Sequence, residues 1–455
     1  MDRRILGLET EYGVTCHTEK DHRPGTDDIV RHLFRDIVRR HRSSNVFLRN
    51  GGRLYLDVGN HPEYATAECD TLPDLLAHDR AGILILHDMV ARAEELMAEE
   101  SPDVTVFLLR NNVDSVGNSY GCHENYLIDR STDLTVLSTA LTPFLVTRQL
   151  VCGAGRLVVA PDGRARYCLS QRAEVIWEGA SSATTRARPM INTRDEPHAD
   201  ASRHRRLHVI VGDSNMAESS TLLKVATLDL VLRALEAGRL PPDLTPVDTA
   251  SAIRTVGHDL TGRAVFRTAS GTVGAVDVQR AYHVLAAEHL AEHGPSRPWD
   301  EAALSLWDEV LGAVEAGEAH RVARHVDWAA KHMLLTRQVA RHGLDWSDPR
   351  LAQLDLLYHD IDPRRGVAAR LEKAGHLHRW TTEEDAREAM TGPPSTTRAR
   401  LRGAVVAAAE ESGRPCRVDW THLRIDGDEG RTVICKDPFA HVDERVDRLI
   451  SSMRG

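Results

Sequence analysis

The stretch "GGRLYLDVGNHPEYATAEC", residues 51–69, alternates like a β-strand whose two faces differ in chemistry. In a pleated strand Leu54 and Leu56 point to one face, and every second residue points to the other. The second face carries Arg53, Tyr55 and Asp57. Glu63 and Thr66 follow shortly downstream. The pattern predicts a strand with one face that packs and one face that carries chemistry or meets water.

The polar residues of this segment are complementary in what they can do. Arg53 can bind a phosphate group, and Glu63 and Tyr55 can each offer an oxygen to a metal ion. Asp57 can accept a proton from a nucleophile. The segment therefore predicts part of a site for phosphate and metal chemistry.

Length and composition restrict the class of protein. A chain of 455 residues predicts one large domain with a smaller one attached. The formal net charge of -10 argues against a nucleic-acid-binding protein. No segment approaches the roughly 20 apolar residues that a membrane-spanning helix needs, and we expect a cytoplasmic protein without a membrane partner. The seven cysteines lack a C-x-x-C pair and predict free thiols.

The chain changes from strand patterns to helix patterns along its length. An amphipathic helix is predicted over residues 25–41, capped by Thr26 or Asp27, and a hairpin is predicted around Asn50 and Gly51. Further strands are predicted at "VTVFLLRNN", "RYCLSQRAEV" and "RLHVIVGDS". Helices are predicted at "SSTLLKVATLDLVLRALEAG", "VQRAYHVLAAEHLAEH", "EAALSLWDEVLGAVEAG" and "HVDWAAKHMLLTRQVARHG". "TGPPSTTRARLRG", with its paired prolines, indicates a domain boundary.

Two carboxylates share one strand face near the N-terminus. In "GLETEYG", Glu9 and Glu11 are two residues apart, so their side chains lie roughly 7 Å apart on the same face. A hard divalent cation such as Mg²⁺ would relieve their repulsion and would also bind substrate phosphates. A solvated strand face is the alternative interpretation.

Two more polar clusters follow. "NSYGCHENY", residues 118–126, offers His123 and two neighbouring polar side chains as ligands, or forms only a polar turn. Residues 184–215 are rich in arginine within an acidic chain, which suits a polyanion such as a triphosphate or a carboxylate-rich peptide. These arginines are Arg186, Arg188, Arg194, Arg203, Arg205 and Arg206. The sequence has no P-loop and no G-x-G-x-x-G turn, so sheet carboxylates and arginines must hold any phosphates.

Long motifs from both ends of the chain resemble those of one enzyme family. They are "GLETEYG", "SSNVFLRNGGRLYLDVGNHPEYATAECD", "NSYGCHENYL", "SSATTRARPMINTRDEPHAD", "RRLHVIVGDSNM" and "KDPFAHVDERVDRLI". The family is that of the Pup ligases and Pup deamidases, among the glutamine synthetase-like carboxylate-amine ligases. The resemblance implies an α+β fold with a curved antiparallel sheet and packed helices over residues 1–390. It also implies a small C-terminal α/β domain over residues 391–455 that contributes to nucleotide and Pup binding.

The resemblance also implies roles for single residues. The residues that match magnesium ligands are Glu9, Tyr55 and Glu63. The residues that match nucleotide contacts are Arg53, Thr66 and Trp420, and Asp57 matches the catalytic base. Family motifs also contain Glu11, His123, Arg206 and His208, which we expect to complete the metal and phosphate environment. Without the resemblance, Trp420 would be interpreted as a core aromatic residue.

The implied activity is ATP-dependent ligation with Mg²⁺ as cofactor. The γ-carboxylate of the C-terminal glutamate of Pup would be phosphorylated by ATP, and the γ-glutamyl phosphate would react with a lysine of a target protein, marking it for proteasomal degradation. Three alternatives stay open at this point: a Pup deamidase or depupylase on the same fold, a nonenzymatic Pup-binding adaptor, and a small-molecule carboxylate-amine ligase. The short connection between "GLETEYG" and "GGRLYLD" favours the ligase, because it leaves no room for the loop that the deamidase carries there.

Overall fold

The computed structural model describes residues 1, 3–19, 23–57, 59–99, 102–114, 117–183, 188–426 and 432–454. Its strands, numbered in chain order, are β1 (Leu6–Glu11), β2 (Gly13–His17), β3 (Val46–Phe47), β4 (Arg53–Asp57), β5 (His61–Ala65), β6 (Thr105–Leu109), β7 (Cys122–Asp129), β8 (Arg156–Val159), β9 (Ala165–Cys168), β10 (Glu178–Ser181), β11 (Pro189–Asn192), β12 (His204–Val209), β13 (Val265–Thr268), β14 (Gly271–Gly274), β15 (Cys416–Val418), β16 (His422–Ile425) and β17 (Thr432–Ile434).

The helices occupy mainly the second half of the chain. They are α1 (Thr26–Leu33), α2 (Arg35–His41), α3 (Leu72–Met97), α4 (Leu134–Thr147), α5 (Gln149–Cys152), α6 (Glu218–Glu236), α7 (Thr249–Gly257), α8 (Ala275–His293), α9 (Asp300–Glu315), α10 (Asp327–His342), α11 (Pro349–Leu357), α12 (Val367–Lys373), α13 (Glu383–Glu388), α14 (Ala399–Ser412) and α15 (Glu444–Arg454). All four predicted late helices are confirmed, as α6, α8, α9 and α10.

A large mixed sheet organises the fold. Among the described residues it has eight strands in the order β10-β11-β12-β7-β1-β5-β4-β3. Every neighbouring pair is antiparallel except β10 and β11, which are parallel. Strand β1 lies inside this sheet, between β5 and β7. The predicted α+β class, with a sheet and packed helices, is confirmed.

Helices cover one face of the sheet, and their side chains form the main core with it. Leu6 and Leu8 of β1 are buried in this core together with Leu207 and Val209 of β12. Because side chains alternate along a strand, the intervening residues of the same strands point to the opposite face. That face carries Glu9 and the other polar groups of the candidate site. Helix α6 lies deep in the core and is buried from its first residue to Ala234.

The C-terminal segment has its own small core. Its three-stranded sheet, in the order β15-β16-β17, packs with α14 and α15. The buried side chains of this core include Leu401, Val405, Leu423 and Leu449.

In the described parts of the chain, no helix combines the length and the apolar character that crossing a membrane requires. All seven cysteines lie in the described ranges and are free thiols.

The predicted helix over residues 25–41 is two helices. The break is at Phe34, whose backbone leaves the helical conformation (φ -94°, ψ 2°). Its side chain is buried in a hydrophobic cluster that is separate from the main core. The predicted cap is also wrong, because Gly25 is the N-cap and Thr26 is the first helical residue. The Asp27 carboxylate instead accepts a hydrogen bond of 2.6 Å from Asn60.

Two short predicted patterns have clear outcomes. The hairpin is confirmed: β3 and β4 pair antiparallel, and Gly51 has the positive φ of 79° that its turn needs. The strand predicted at "RYCLSQRAEV" ends at Cys168. Beyond it the backbone N–H of Leu169 donates to the carbonyl of Gly257, and Asp213 accepts hydrogen bonds from the backbone N–H groups of Gln171 and Arg172, so these groups have partners outside a sheet.

Candidate active site

Three carboxylates meet where β1, β5 and β4 lie side by side. In the strand register, Glu63 stands opposite Glu11 on one side and opposite Tyr55 on the other. Residues that are directly opposite present their side chains on the same face. Carboxylate oxygens of Glu11, Asp57 and Glu63 accordingly lie within 4.8 Å of one another. Such a group of acids repels itself unless protons or cations neutralise it.

The charge state of Glu63 reflects this crowding. Burial first, and then the charges of Glu9 and Glu11, raise the pKa of Glu63 well above its usual value. Tyr55 forms a hydrogen bond with Glu63, and burial together with Glu9 and Glu63 strongly raises the pKa of its hydroxyl. Tyr55 therefore offers a neutral oxygen beside the carboxylates.

Glu9 lies next to this group but has a different environment. It stands opposite His123 in the register of β1 and β7, and the His123 Nδ1 atom is 3.3 Å from its carboxylate. Asn125 donates a hydrogen bond of 3.0 Å to it, and the Arg206 guanidinium lies 3.6 Å away. Burial would raise the pKa of Glu9, but the hydrogen bond with His123 and the charge of Arg206 hold it below its usual value.

Both groups open into one cleft of about 1080 Å³. Its lining includes four of the predicted site residues, which are Glu9, Tyr55, Asp57 and Glu63. Asp57 is partly exposed and stands opposite His61 at the end of the paired region of β4 and β5. The structure therefore brings the predicted metal ligands and the predicted base together on the open face of the sheet.

Thr66 and Trp420 line a smaller apolar pocket of about 80 Å³ next to this cleft. Glu9 and Arg206 line both cavities, so the two are adjacent. Trp420 is half-buried, and its ring lies edge to face on Phe47, with 4.9 Å between the ring centroids. Trp420 thus closes a pocket beside the carboxylates, which differs from the core position that its sequence alone suggests.

Arg53 and Thr66 are the predicted contacts with the least open positions. Arg53 lines neither cavity among the described side chains; its guanidinium lies 4.5 Å from the ring centroid of Tyr55 and donates a hydrogen bond of 2.8 Å to Asn45. The Thr66 hydroxyl accepts a hydrogen bond of 3.1 Å from the backbone N–H of Leu8. Arg53 therefore stacks on the Tyr55 ring, and Thr66 is hydrogen-bonded to β1.

The arginine-rich segment supplies one wall of the cleft. Arg188, Arg194 and Arg206 line it, whereas Arg203 and Arg205 do not, and Arg186 lies outside the described residues. The strand alternation of β12 explains why Arg206 faces the cleft and Arg205 points away. Arg206 also donates a hydrogen bond of 3.1 Å to Asn125.

The polar residues of the cleft that sequence reasoning missed include Arg172 and His61. Arg172 is 5% exposed and follows the end of a short strand, in an irregular segment where no periodicity gives its direction. His61 begins β5 in the quoted stretch, two residues before Glu63. The alternation that places Glu63 on the open face also places His61 there, so this residue could have been found.

The cleft holds two groups of donor atoms, and the all-oxygen one suits a hard divalent cation. Glu11, Asp57 and Glu63 form an all-oxygen group, with the Tyr55 hydroxyl beside it. Glu9, His123 and His208 form a second group whose ligand atoms lie within 4.8 Å of one another. In this second group the His208 Nε2 atom is buried and makes no hydrogen bond. Burial lowers the pKa of His208 to about 3, so its ring is neutral and able to coordinate a metal.

Comparisons with known proteins match this chain over most or all of its length. The family described as Pup-ligase protein matches residues 4–424. The chain is 54% identical over 454 residues to the Pup--protein ligases of Actinosynnema mirum and Mycobacteroides abscessus, with full coverage of both chains in each case.

Two solved structures share the fold over nearly the whole chain. In the crystal structure of Pup in complex with its ligase PafA, the TM-score is 0.94 at 44% identity, covering 100% of this chain and 92% of that one. In the structure of PafA with ADP, the TM-score is 0.87 at 46% identity, covering 96% of this chain and 95% of that one. The chain therefore belongs to the Pup-ligase protein family.

Proposed function

We propose that this chain is an ATP-dependent Pup ligase, which joins the C-terminal glutamate of Pup to lysine side chains of target proteins. The observation that carries the proposal is the end-to-end identity of 54% with Pup--protein ligases. The cleft supports it, because carboxylates from β1, β4 and β5 face arginines across a space of about 1080 Å³. This is the charge arrangement that a metal-bound triphosphate and a carboxylate substrate need.

We assign the magnesium ligands to Glu9, Tyr55 and Glu63, with Glu11 beside them. A bound Mg²⁺ would neutralise phosphate charge as the γ-phosphoryl group of ATP is transferred. The positions of Glu11 and Asp57 within 4.8 Å of Glu63 add two carboxylates that can join the metal environment.

The nucleotide is assigned to the adjoining pocket, with its base near Trp420 and Thr66 and its phosphates directed toward Glu9 and Arg206. The similarity to the PafA structure with ADP supports this assignment. Arg53 is assigned to the nucleotide through the family resemblance, and its stacking on Tyr55 suggests that it also stiffens a metal ligand.

The reaction needs two steps because a carboxylate has no good leaving group. In the first step, the γ-carboxylate of glutamate attacks the γ-phosphorus of ATP and forms an acyl phosphate and ADP. Arg206 and the arginines of the cleft wall stabilise the charge that is transferred. In the second step, a lysine amine attacks the acyl carbon, phosphate leaves and an isopeptide bond forms.

Asp57 is assigned as the base of the second step. A lysine ammonium has an unperturbed pKa of about 10.4 and must lose a proton before it attacks. Asp57 is partly exposed at the mouth of the cleft, where a lysine from another protein can reach it. Its negative charge would both attract the ammonium group and accept the proton.

We also propose that the chain divides into a catalytic domain over residues 1–390 and a small domain over residues 391–455. The separate hydrophobic core formed by α14, β16 and α15 supports this division. Trp420 lies in the smaller part, so the nucleotide pocket needs both parts.

The test is a conjugation assay with ATP, Mg²⁺, Pup ending in glutamate and a lysine-bearing acceptor protein. A ligase gives a Pup–acceptor conjugate and one ADP per bond. Release of ammonia from Pup ending in glutamine, without conjugation, would identify a deamidase instead. Binding of Pup without ATP turnover would identify an adaptor.

A further inference from the structure

Arg402 of helix α14 makes an unusually large number of contacts for one buried side chain. It is 1% exposed. Its guanidinium donates to the carbonyl of Gly51 through Nε (3.1 Å) and Nη2 (2.8 Å), and Nη1 donates to the Glu68 carboxylate (3.1 Å). Nη2 pairs with the second Glu68 oxygen. Nη1 also lies 3.3 Å from the carbonyl oxygen of Trp420.

The same guanidinium also lies against two aromatic rings that are in contact with each other. The Arg402 Cζ atom lies 4.9 Å from the ring centroid of Phe47 and 4.9 Å from that of Trp420. The two rings touch each other edge to face, with 4.9 Å between their centroids. Arg402 thus holds Trp420 twice, by its backbone carbonyl and by its ring.

These contacts meet the proposed nucleotide site at three places. Gly51 is two residues before Arg53, Glu68 is two residues after Thr66, and Trp420 is contacted directly. Arg53, Thr66 and Trp420 are the three residues assigned to the nucleotide. One side chain therefore ties together the turn before β4, the segment after β5 and the C-terminal part of the chain.

The backbone around Arg402 is built for close approach. A Cβ atom at Gly403 would lie 2.2 Å from the carbonyl oxygen of Arg49, and one at Gly51 would lie 2.8 Å from the Cβ of Ala399. Glycines at both positions let α14 touch the 49–51 turn, which brings Arg402 within reach of Gly51. The position of the Arg402 guanidinium is thus determined by backbone packing as well as by its ion pair with Glu68.

We propose that Arg402 is a positioning residue for the nucleotide pocket, which acts through Trp420. This inference rests on the proposed function, because it needs Trp420 to contact the nucleotide. Lysine cannot replace arginine in this role, since an ammonium group has no planar fork for three acceptors and no flat guanidinium to lay against aromatic rings. Loss of the guanidinium should let the Trp420 ring turn away from the pocket, while the arrangement of the carboxylates in the cleft stays unchanged.

The test compares Arg402→Lys with the parent protein in the conjugation assay at varied ATP. We expect KM for ATP to rise about tenfold while kcat stays within about twofold, as expected for a change in nucleotide binding alone. The dissociation constant for ADP, measured by calorimetry in the presence of Mg²⁺, should rise by the same factor. Phe47→Leu, which keeps the ion pair and loosens only the stack, should shift both values in the same direction by a smaller factor.

A double variant tests whether Arg402 acts through Trp420. Trp420→Ala should raise KM for ATP, and adding Arg402→Lys in that background should raise it no further. If the two effects multiply, Arg402 does not act through Trp420 and the inference is overturned. If Trp420→Ala leaves KM unchanged while conjugation persists, the inference fails and the ligase assignment stands. Absence of conjugation by the parent protein would instead overturn the proposed function.

A matched control separates positioning from stability. Arg233→Lys removes the same kind of buried guanidinium from α6, where Arg233 pairs with Asp300 at 2.5 Å and is remote from both cavities in its contacts. We expect it to lower the melting temperature and leave KM for ATP unchanged. If Arg233→Lys raises KM as much as Arg402→Lys does, the effect is general loosening and the inference is overturned.

Discussion

Glu9 and Glu63 are neighbours in the cleft, but their pKa values are shifted in opposite directions. Hydrogen bonding and the nearby Arg206 guanidinium keep the pKa of Glu9 low despite its burial, so it is ionised at any physiological pH. Burial and adjacent carboxylates raise the pKa of Glu63, so it retains a proton more readily. The cleft therefore presents a permanent negative charge at Glu9 and a further one at Glu63 that becomes available when a cation displaces the proton.

Replacing Glu9 by glutamine tests the permanent charge. Glu9→Gln keeps the size of the side chain but removes the anion, so we expect the Mg²⁺-dependent gain in ADP affinity to fall by about tenfold or more. The measurement is calorimetry of ADP binding with and without Mg²⁺. Glu178→Gln, at an exposed position on the edge strand β10, is the control and should leave the gain unchanged. A full Mg²⁺ effect in Glu9→Gln would contradict the ligand assignment.

Asp57→Asn tests the base. We expect ligation to slow by a factor of about 100 to 10,000, the usual contribution of a general base, with little change in ADP affinity. Conjugation rate and ADP binding are measured on the same preparation. Asp57 lies within 4.8 Å of two other carboxylates, so a parallel loss of Mg²⁺-dependent ADP affinity would show that it serves as a metal ligand instead.

At the scale of single residues, the alternation of side chains along one strand was enough to predict much of the site. Tyr55 and Asp57 face the cleft because they alternate with Leu54, which is fully buried. Arg172 could not be predicted in this way, because it lies in an irregular segment whose direction is set by Asp213, 41 residues further along the chain. Trp420 was predicted from family resemblance only, since nothing local distinguishes it from a core tryptophan.

At the scale of elements, the contact between α14 and the 49–51 turn joins the smaller core to the large sheet. Arg398, the residue before α14, also forms an ion pair with Glu68, at 2.9 Å, and donates a hydrogen bond to the carbonyl of His198. The helix itself was predictable from its alanine-rich pattern. The turn that the helix contacts was not predictable, because it lies about 350 residues away in sequence. The contact depends on glycine on both sides, which the local sequence pattern does not reveal.

Gly403→Ala tests this contact. The added Cβ would overlap the Arg49 carbonyl, so α14 must move away from the turn, and we expect a lower melting temperature together with weaker ADP binding. Gly312→Ala in α9 is the matched control, because its Cβ would meet no atom closer than 3.8 Å. That variant should be stabilised slightly, as expected for alanine in a helix. Equal destabilisation of both variants would contradict the close-contact explanation.

At the scale of the whole molecule, buried polar groups connect helix α10 to the segments that follow β6 and β9. His359 is fully buried and its Nδ1 atom lies 2.8 Å from the carbonyl oxygen of Arg110, which can only accept. The Nε2 atom is therefore unprotonated and accepts from Lys331 and Gln171, each at 2.8 Å. Burial first, and then the Lys331 charge, hold the pKa of His359 well below its usual value.

This arrangement predicts a pH dependence of stability. An unfolded histidine titrates near pH 6.5, while folded His359 stays neutral to much lower pH. The unfolded chain therefore binds an extra proton below about pH 6.5, and the His359 contribution is complete above that pH and is lost as the pH falls. We expect the free energy of unfolding to decrease by up to about 1.4 kcal/mol per pH unit from this group.

The comparison is His359→Gln, which cannot take up the proton. Its unfolding free energy should be lower at pH 7.5, and its slope between pH 6.5 and pH 5 should be smaller than that of the parent protein by up to one proton. Denaturant unfolding at several pH values measures both. An unchanged slope would mean that His359 does not govern this acid sensitivity.

The position of β1 inside the large sheet has a consequence for how the protein opens. Its backbone is hydrogen-bonded to β5 on one side and β7 on the other, while β3 and β10 form the outer margins. Thermal fluctuations that peel strands from a sheet start at such margins and reach interior strands last. The carboxylates on β1 and β5 should thus keep their positions while the outer strands β3 and β10 fluctuate. Polypeptide substrates can then enter and leave without disturbing the arrangement of the carboxylates.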